Sequence, residues 1–301
     1  MKEGGTGGGT DAGGTDTGRG IALMCLTMLL FAFQDTLSKR LVAEYSVFFV
    51  TAVRYGFMAL VAVALAARES GGLRATVRTS RAPAQIVRGL LLALQICIVV
   101  SSFVLLGIIE THAILAATPL MIVALSGPVL GERVGWRRRV AIGIGFVGVL
   151  VILDPGSGVV SPWALVSVGA CAVFTAYSLL TRSVARDDGP ATSFFWTAAV
   201  GLVVLAPVGV WFSEPMGPQD AAVMALLCMT AGTGHFLLIR TYAIAEANVV
   251  QPFSYLQLVF ATVLAVAFFG ERLEGHVVAG AAVVVAAGVF TLVRTGRKAR
   301  R

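Results

Sequence analysis

Apolar residues in this chain come in long runs separated by short polar stretches. Ten runs stand out, at about 20–38, 46–67, 86–108, 112–130, 138–153, 162–180, 192–212, 221–239, 249–269 and 277–293. Most reach the roughly 17–25 residues that a helix needs to cross the hydrocarbon of a bilayer. The runs do not alternate polar and apolar positions, as strands of a membrane barrel do. The pattern therefore predicts ten transmembrane helices. The fifth run is the weakest. Its clean apolar core, 140–153, is short, so it draws on Gly135 and Trp136 at one end or on a thinner local bilayer.

Composition agrees. Of 301 residues, 57% are hydrophobic and 13% charged, and the mean hydropathy is +0.87. A soluble domain carries about 25% charged residues. Cys25, Cys97, Cys171 and Cys228 all fall inside apolar runs. They read as small packing residues, and their spacing fits neither a disulfide framework nor a metal site. Residues 1–19 are rich in Gly and Thr and hold no apolar stretch. They are expected to be a disordered tail, not a signal peptide.

The basic residues set an orientation. With the N-terminus inside, nineteen of the 23 Lys and Arg residues fall on the inner side. Lys39, Arg40 and Arg272 fall outside, and Arg54 lies within a span. This positive-inside bias predicts cytoplasmic N- and C-termini. It also accounts for the net charge of +7 through short loops beside anionic headgroups, with no nucleic acid as partner.

One motif occurs twice. Gly131-Glu132-Arg133 returns 139 residues later as Gly270-Glu271-Arg272. Each triad ends a span, the fourth or the ninth, and one more span follows. The chain thus divides into two halves of five spans, 20–153 and 162–294, between the tail 1–19 and a basic cytoplasmic tail 295–301. An odd number of spans turns the second half upside down relative to the first, an arrangement suited to alternating access. The expected fold class is an all-α membrane protein of ten transmembrane helices in two inverted five-helix repeats. Glu132 and Glu271 then lie on opposite sides of the membrane and cannot share one site. Both are expected to be structural turn residues that reach free amides at the next helix start or a neighbouring Arg.

Half one reads "ETHAILAATPLMIVALSGPVLGER" and half two "EANVVQPFSYLQLVFATVLAVAFFGER". With Lys39 ending the first span and Arg54 in the second, this layout resembles the EamA-type proteins of the drug/metabolite transporter superfamily. The position matching Pro119 in half two is Leu258, with Pro252 six residues earlier. The resemblance implies a secondary carrier of a small organic metabolite in a bacterial inner membrane. Coupling to protons and exchange both stay open, and no cofactor is implied. The "PFSYLQLVF" form is similar to a subgroup with proposed carriers for S-adenosylmethionine and riboflavin. These two and amino acids are the substrates to try first. It also implies that a homodimer can form through the last helix of each half, where Gly143, Gly145, Gly148, Gly280 and Gly288 otherwise serve packing within one chain.

A carrier needs a polar cavity inside the membrane, and polar groups within spans are the default candidates for it. Arg54 either pairs with an anionic substrate group or braces spans and snorkels outward. Gln95, Tyr177, Trp196, His235, Tyr255 and Gln257 lie at mid-span depth. Each is equally suited to packing, but as a set they are the expected substrate contacts. Asp35, Glu110, His112 and Glu246 are candidates for gating or coupling. Asp35 has Arg54 and Lys39 as expected partners, and Glu110 and Glu246 also suit helix capping. Pro119 and Pro252 are the expected helix breaks.

An intramembrane enzyme and a channel are the rival classes. The chain has no HExxH motif, no histidine placed as a base for Ser126 and no Gly-rich phosphate loop. Neither catalysis, a metal site nor ATP-driven transport by this chain is expected.

Overall fold

A computed structural model describes residues 12–68, 72–130, 135–154, 161–184, 187–244 and 250–299. Glu132 and Glu246 lie outside the described residues. Helices are the regular structure of the described residues, joined by short turns, and no strand occurs among them. In chain order the helices are α1 (Ala12–Val42), α2 (Val47–Ala66), α3 (Gly72–Val77), α4 (Ala82–Leu105), α5 (Ile108–Leu115) and α6 (Thr118–Leu130). Then come α7 (Trp136–Leu153), α8 (Pro162–Val184), α9 (Pro190–Trp211), α10 (Pro218–Ile244), α11 (Leu256–Phe269) and α12 (Gly275–Ala299). A 3₁₀ turn, Gln251–Tyr255, leads into α11.

Among the described residues, six helices are long and apolar enough to cross a membrane, within α1, α2, α4, α8, α9 and α10. Four shorter apolar stretches, Ile108–Ile122, Arg139–Leu153, Phe253–Phe269 and Gly275–Phe290, account for the other four predicted runs. The helix starts follow local chemistry. Ser46 Oγ accepts the amide of Phe48 to cap α2. Helices α8, α9 and α10 each open on a proline, whose missing N–H costs nothing at that position. The first helix begins at Ala12, ahead of the tail boundary expected at residue 19.

Two runs are broken. The fourth divides at Ala116-Ala117 into α5 and α6, with Pro119 in the first turn of α6. The ninth opens as the 3₁₀ turn that contains Pro252. Both breaks fall where a proline removes a helix hydrogen bond.

The packing crosses between the group α1–α7 and the group α8–α12. α1 packs on α10, and α4 on α8. α1 packs on α11, and α6 on α8. α2 packs on α10, and α4 on α9. α2 meets α9, and α7 meets α12. When the two groups are exchanged helix for helix, each of the first six pairings becomes another of them, and α2–α9 and α7–α12 become themselves. The α7–α12 seam is close because it is built on glycine. A Cβ on Gly280 would sit 2.6 Å from the Gly148 carbonyl oxygen, so neither backbone tolerates a side chain there.

Candidate functional site: a polar cavity between the two halves

A cavity of about 160 Å³ opens among α1, α2, α4, α5, α6, α8, α10, α11 and the 3₁₀ turn. That volume is roughly ten times what one water needs. Its walls are mixed. Met24, Met28, Phe31 and Phe174 supply apolar surface, and polar groups converge between them.

Arg54 reaches this cavity from α2 and is 2% exposed. Its Nη2 donates to Gln34 Oε1 at 3.3 Å and its Nη1 to Ser38 Oγ at 3.5 Å. Both partners are neutral, and both bonds are long. Asp35, one residue from Gln34, is engaged elsewhere. Its Oδ2 accepts from Gln257 Nε2 at 3.0 Å and pairs with His112 Nε2 at 3.1 Å. The imidazole stacks on Phe103, with ring centroids 5.4 Å apart. Asp35 thus joins α1 to α5 on one side and to α11 on the other. The partners expected for it, Arg54 and Lys39, are not the ones it takes.

His235 faces the cavity from α10, its ring 5.0 Å from Phe31. Its Nε2 is buried without a hydrogen-bond partner, as is the Tyr255 hydroxyl. Such groups are costly unless something else satisfies them. Gln95 lines the cavity from α4, and Pro119 from the start of α6.

The structure therefore brings Arg54, Gln95, His235, Tyr255 and Gln257 to one cavity, together with Asp35 and His112. Tyr177 and Trp196 are placed elsewhere. The Tyr177 ring lies 5.8 Å below the Arg88 guanidinium, and the Trp196 indole donates to the Val77 carbonyl at 3.2 Å. Glu110 is half-buried at the start of α5, near Glu271, Glu274 and His276. Gln34, Thr118 and Ser254 line the cavity although their sequence context did not single them out as contacts.

A second buried cation was hidden by its loop-like context. Arg88, one of the nineteen basic residues counted to the inner side, lies inside α4 and is fully buried. It donates to Gln85 Oε1 at 3.1 and 2.7 Å and to the Ser193 carbonyl. Gln85 in turn donates to Asp188 at 2.6 Å. The usable signal was the three-residue spacing of Gln85 and Arg88, which puts both on one helix face.

Glu271 closes the opposite end of the helices from this network. It accepts the amides of Ile108 and Ile109, each at 3.0 Å, and pairs with Lys39. It caps α5, in the other half of the chain, where reach to the next helix start was expected. Gly107 makes the approach possible. Its φ is +107°, and a Cβ there would sit 3.3 Å from Glu271 Oε2.

Residues 18–154 and again 161–293 match the family described as EamA-like transporters. The chain belongs to the EamA-like transporter family. Curated relatives are transporters of small metabolites. An S-adenosylmethionine uptake transporter of Rickettsia prowazekii is 23% identical over 273 residues, covering 91% of this chain and 92% of that protein. A riboflavin transporter of Rhizobium johnstonii is 30% identical over 233 residues, 75% and 76% of the two chains. A riboflavin transporter of Vibrio cholerae is 30% identical over 195 residues, 63% and 64% of the two. A solved crystal structure shares the fold at a TM-score of 0.66 and 18% identity, covering 94% of this chain and 98% of that one. This EamA chain is accordingly a small-metabolite transporter with several membrane-crossing helices.

Proposed function

We propose that the chain is a ten-span carrier whose two five-helix repeats face opposite ways, working by alternating access around the polar cavity. One observation carries this reading. The polar groups at the cavity come from both family repeats: Asp35, Arg54, Gln95 and His112 from 18–154, and His235, Tyr255 and Gln257 from 161–293. Rocking one repeat against the other changes the geometry of every such contact at once. The pairing of helices that survives exchange of the halves supports a two-fold relation between them. Five spans per repeat then make that relation an inversion. The positive-inside bias supports cytoplasmic termini in a bacterial inner membrane.

The cavity favours a substrate with a flat ring and a carbonyl-rich edge. Arg54 offers donors that its two long bonds to neutral groups leave underused, and the side-chain amide of Gln95 is free to bond a ring edge. Asp35 is already held by His112 and Gln257, so no uncommitted carboxylate awaits a cation. Phe31, Phe174 and the methionines suit a ring face. Riboflavin meets this description better than S-adenosylmethionine, whose sulfonium and ammonium find no uncommitted carboxylate among the described lining residues.

The test is counterflow in proteoliposomes with labelled riboflavin and, separately, labelled S-adenosylmethionine. Saturable riboflavin counterflow, lost in Arg54→Ala and Gln95→Ala, is expected. Counterflow of S-adenosylmethionine alone would overturn the ring-edge reading. Steady conductance without counterflow would replace the carrier by a channel.

A further inference from the structure

A second, larger recess lies away from the polar cavity, on the outside of the α7–α12 pair. It has a volume of about 560 Å³. Ala141 and Ala287 form its buried floor. Trp136, Ile144 and Phe290 form its walls and are 64%, 51% and 48% exposed. Arg137 stands at its end, with the guanidinium 5.3 Å from the Trp136 ring.

The register places this recess at one end of the helices. Gly148 meets Gly280, and Gly145 lies beside Ala287, so α7 and α12 run antiparallel. The recess therefore sits where α7 begins and α12 approaches its C-terminus. In sequence that end is strongly basic. Arg137, Arg138 and Arg139 open α7, and Arg294 and Arg297 follow Phe290 on α12.

We propose that this recess is a binding site for an anionic phospholipid, with one acyl chain along the Ala141–Ala287 floor and the phosphate against Arg137. The complementarity is twofold. The apolar trough matches a hydrocarbon chain, and the basic end matches a negative headgroup at the depth where such heads lie. Basic pockets between helices on the cytoplasmic side recruit such lipids. The indole beside Arg137 suits the interface between chain and headgroup. A second copy of this chain fits the recess less well. Two copies inserted with the same orientation would bring their Arg137 clusters to the same membrane face and oppose like charges across the contact.

Trp136 is a built-in reporter. A variant with Trp163, Trp196 and Trp211 changed to Phe keeps it as the single indole. In proteoliposomes, phosphatidylglycerol with brominated chains is expected to quench Trp136 at about fivefold lower mole fraction than brominated phosphatidylcholine. Arg137→Gln should erase that preference. Equal quenching by both lipids would overturn the proposal, because ordinary surrounding lipid explains it. Absence of quenching by either, with cross-links between copies, would overturn it in favour of a dimer. Native mass spectrometry of the unmodified chain gives an independent readout. Retention of phosphatidylglycerol over phosphatidylcholine, lost in Arg137→Gln, supports the site, and equal retention refutes it.

Discussion

Lys39 at the end of α1 and Glu271 after α11 form an ion pair across 232 residues of sequence. Both side chains are mostly buried, 18% and 15% exposed. Lys39 also lies 4.7 Å over the Phe269 ring, and Glu271 caps α5. One carboxylate thus holds three segments together.

Removing that carboxylate should cost more than neutralising it. Glu271→Gln keeps an oxygen for the α5 amides and loses the ion pair. Glu271→Ala loses both, and a lost cap alone costs about 0.5–2 kcal/mol. Thermal unfolding in detergent is expected to rank wild type above Gln above Ala. Equal midpoints for all three would show that the cap contributes nothing.

The same residue gives a pH signature. Burial pushes the Glu271 carboxyl upward, but the Lys39 bond and the two α5 amides outweigh it and hold it below its ordinary value of 4.5. The folded state therefore releases this proton more readily than the unfolded one. Its contribution is complete above about pH 4.5 and is lost as pH falls through the depressed folded value. The midpoint difference between wild type and Glu271→Gln should shrink on acidification within that window. A difference that grows instead would contradict the assigned direction.

Arg54 tests the cavity. Arg54→Ala is expected to insert and fold while weakening substrate binding about 10- to 100-fold, the scale of hydrogen bonds to a charged group. Arg54→Lys should not restore it, because a point ammonium lacks the planar fork. Size-exclusion profiles check folding, and counterflow checks binding. Full activity in both variants would remove Arg54 from the site.

Tyr255 and Gly288 are coupled by contact. A Cβ on Gly288 would overlap the Tyr255 hydroxyl, so Gly288→Ala is expected to destabilise by about 1–3 kcal/mol and to disturb the cavity. Tyr255→Phe removes an unpaired buried hydroxyl and should itself be nearly neutral for stability. Ring carbons Cζ and Cε2 would still lie 2.4 and 2.9 Å from that Cβ, so Gly288→Ala with Tyr255→Phe is expected to recover only part of the lost midpoint and Gly288→Ala with Tyr255→Leu more of it. A simple sum of the two single effects would refute the coupling.

Much of the helical layout was legible because hydropathy acts locally. All ten apolar runs became helices or helix pairs, and Pro119 and Pro252 fell at the broken ones. Seven of the flagged residues meet at one cavity, four of them named for mid-span depth, since a buried polar group in a span must face other protein. What sequence could not supply was pairing. Asp35 and Lys39 share a face of α1, yet one turns to Gln257 and the other to Glu271, both more than 200 residues away. Arg88 looked like loop charge because its neighbours Arg78 and Arg81 are loop charge. Only the packing of α4 on α8 and α9 shows it buried. Tyr177 and Trp196 lie by Arg88 and Val77, toward the end where α4 and α9 begin, and not at the cavity, and a single sequence does not fix the rotation of a helix this uniformly apolar.

The crossed packing of the two halves has a consequence for biosynthesis. α4, the last long helix of the first half, finds its partner in α8, the first of the second half. α2 then meets α9, and α1 meets α10. These three long helices therefore find their mates in the reverse of the order in which they leave the ribosome, like a zipper closing from the middle outward, while α7 waits for α12, the last helix made. The polar face of α1 meets Arg54 and His112 within the first half, but Asp35 gains its bond from Gln257 only once α11 has been made.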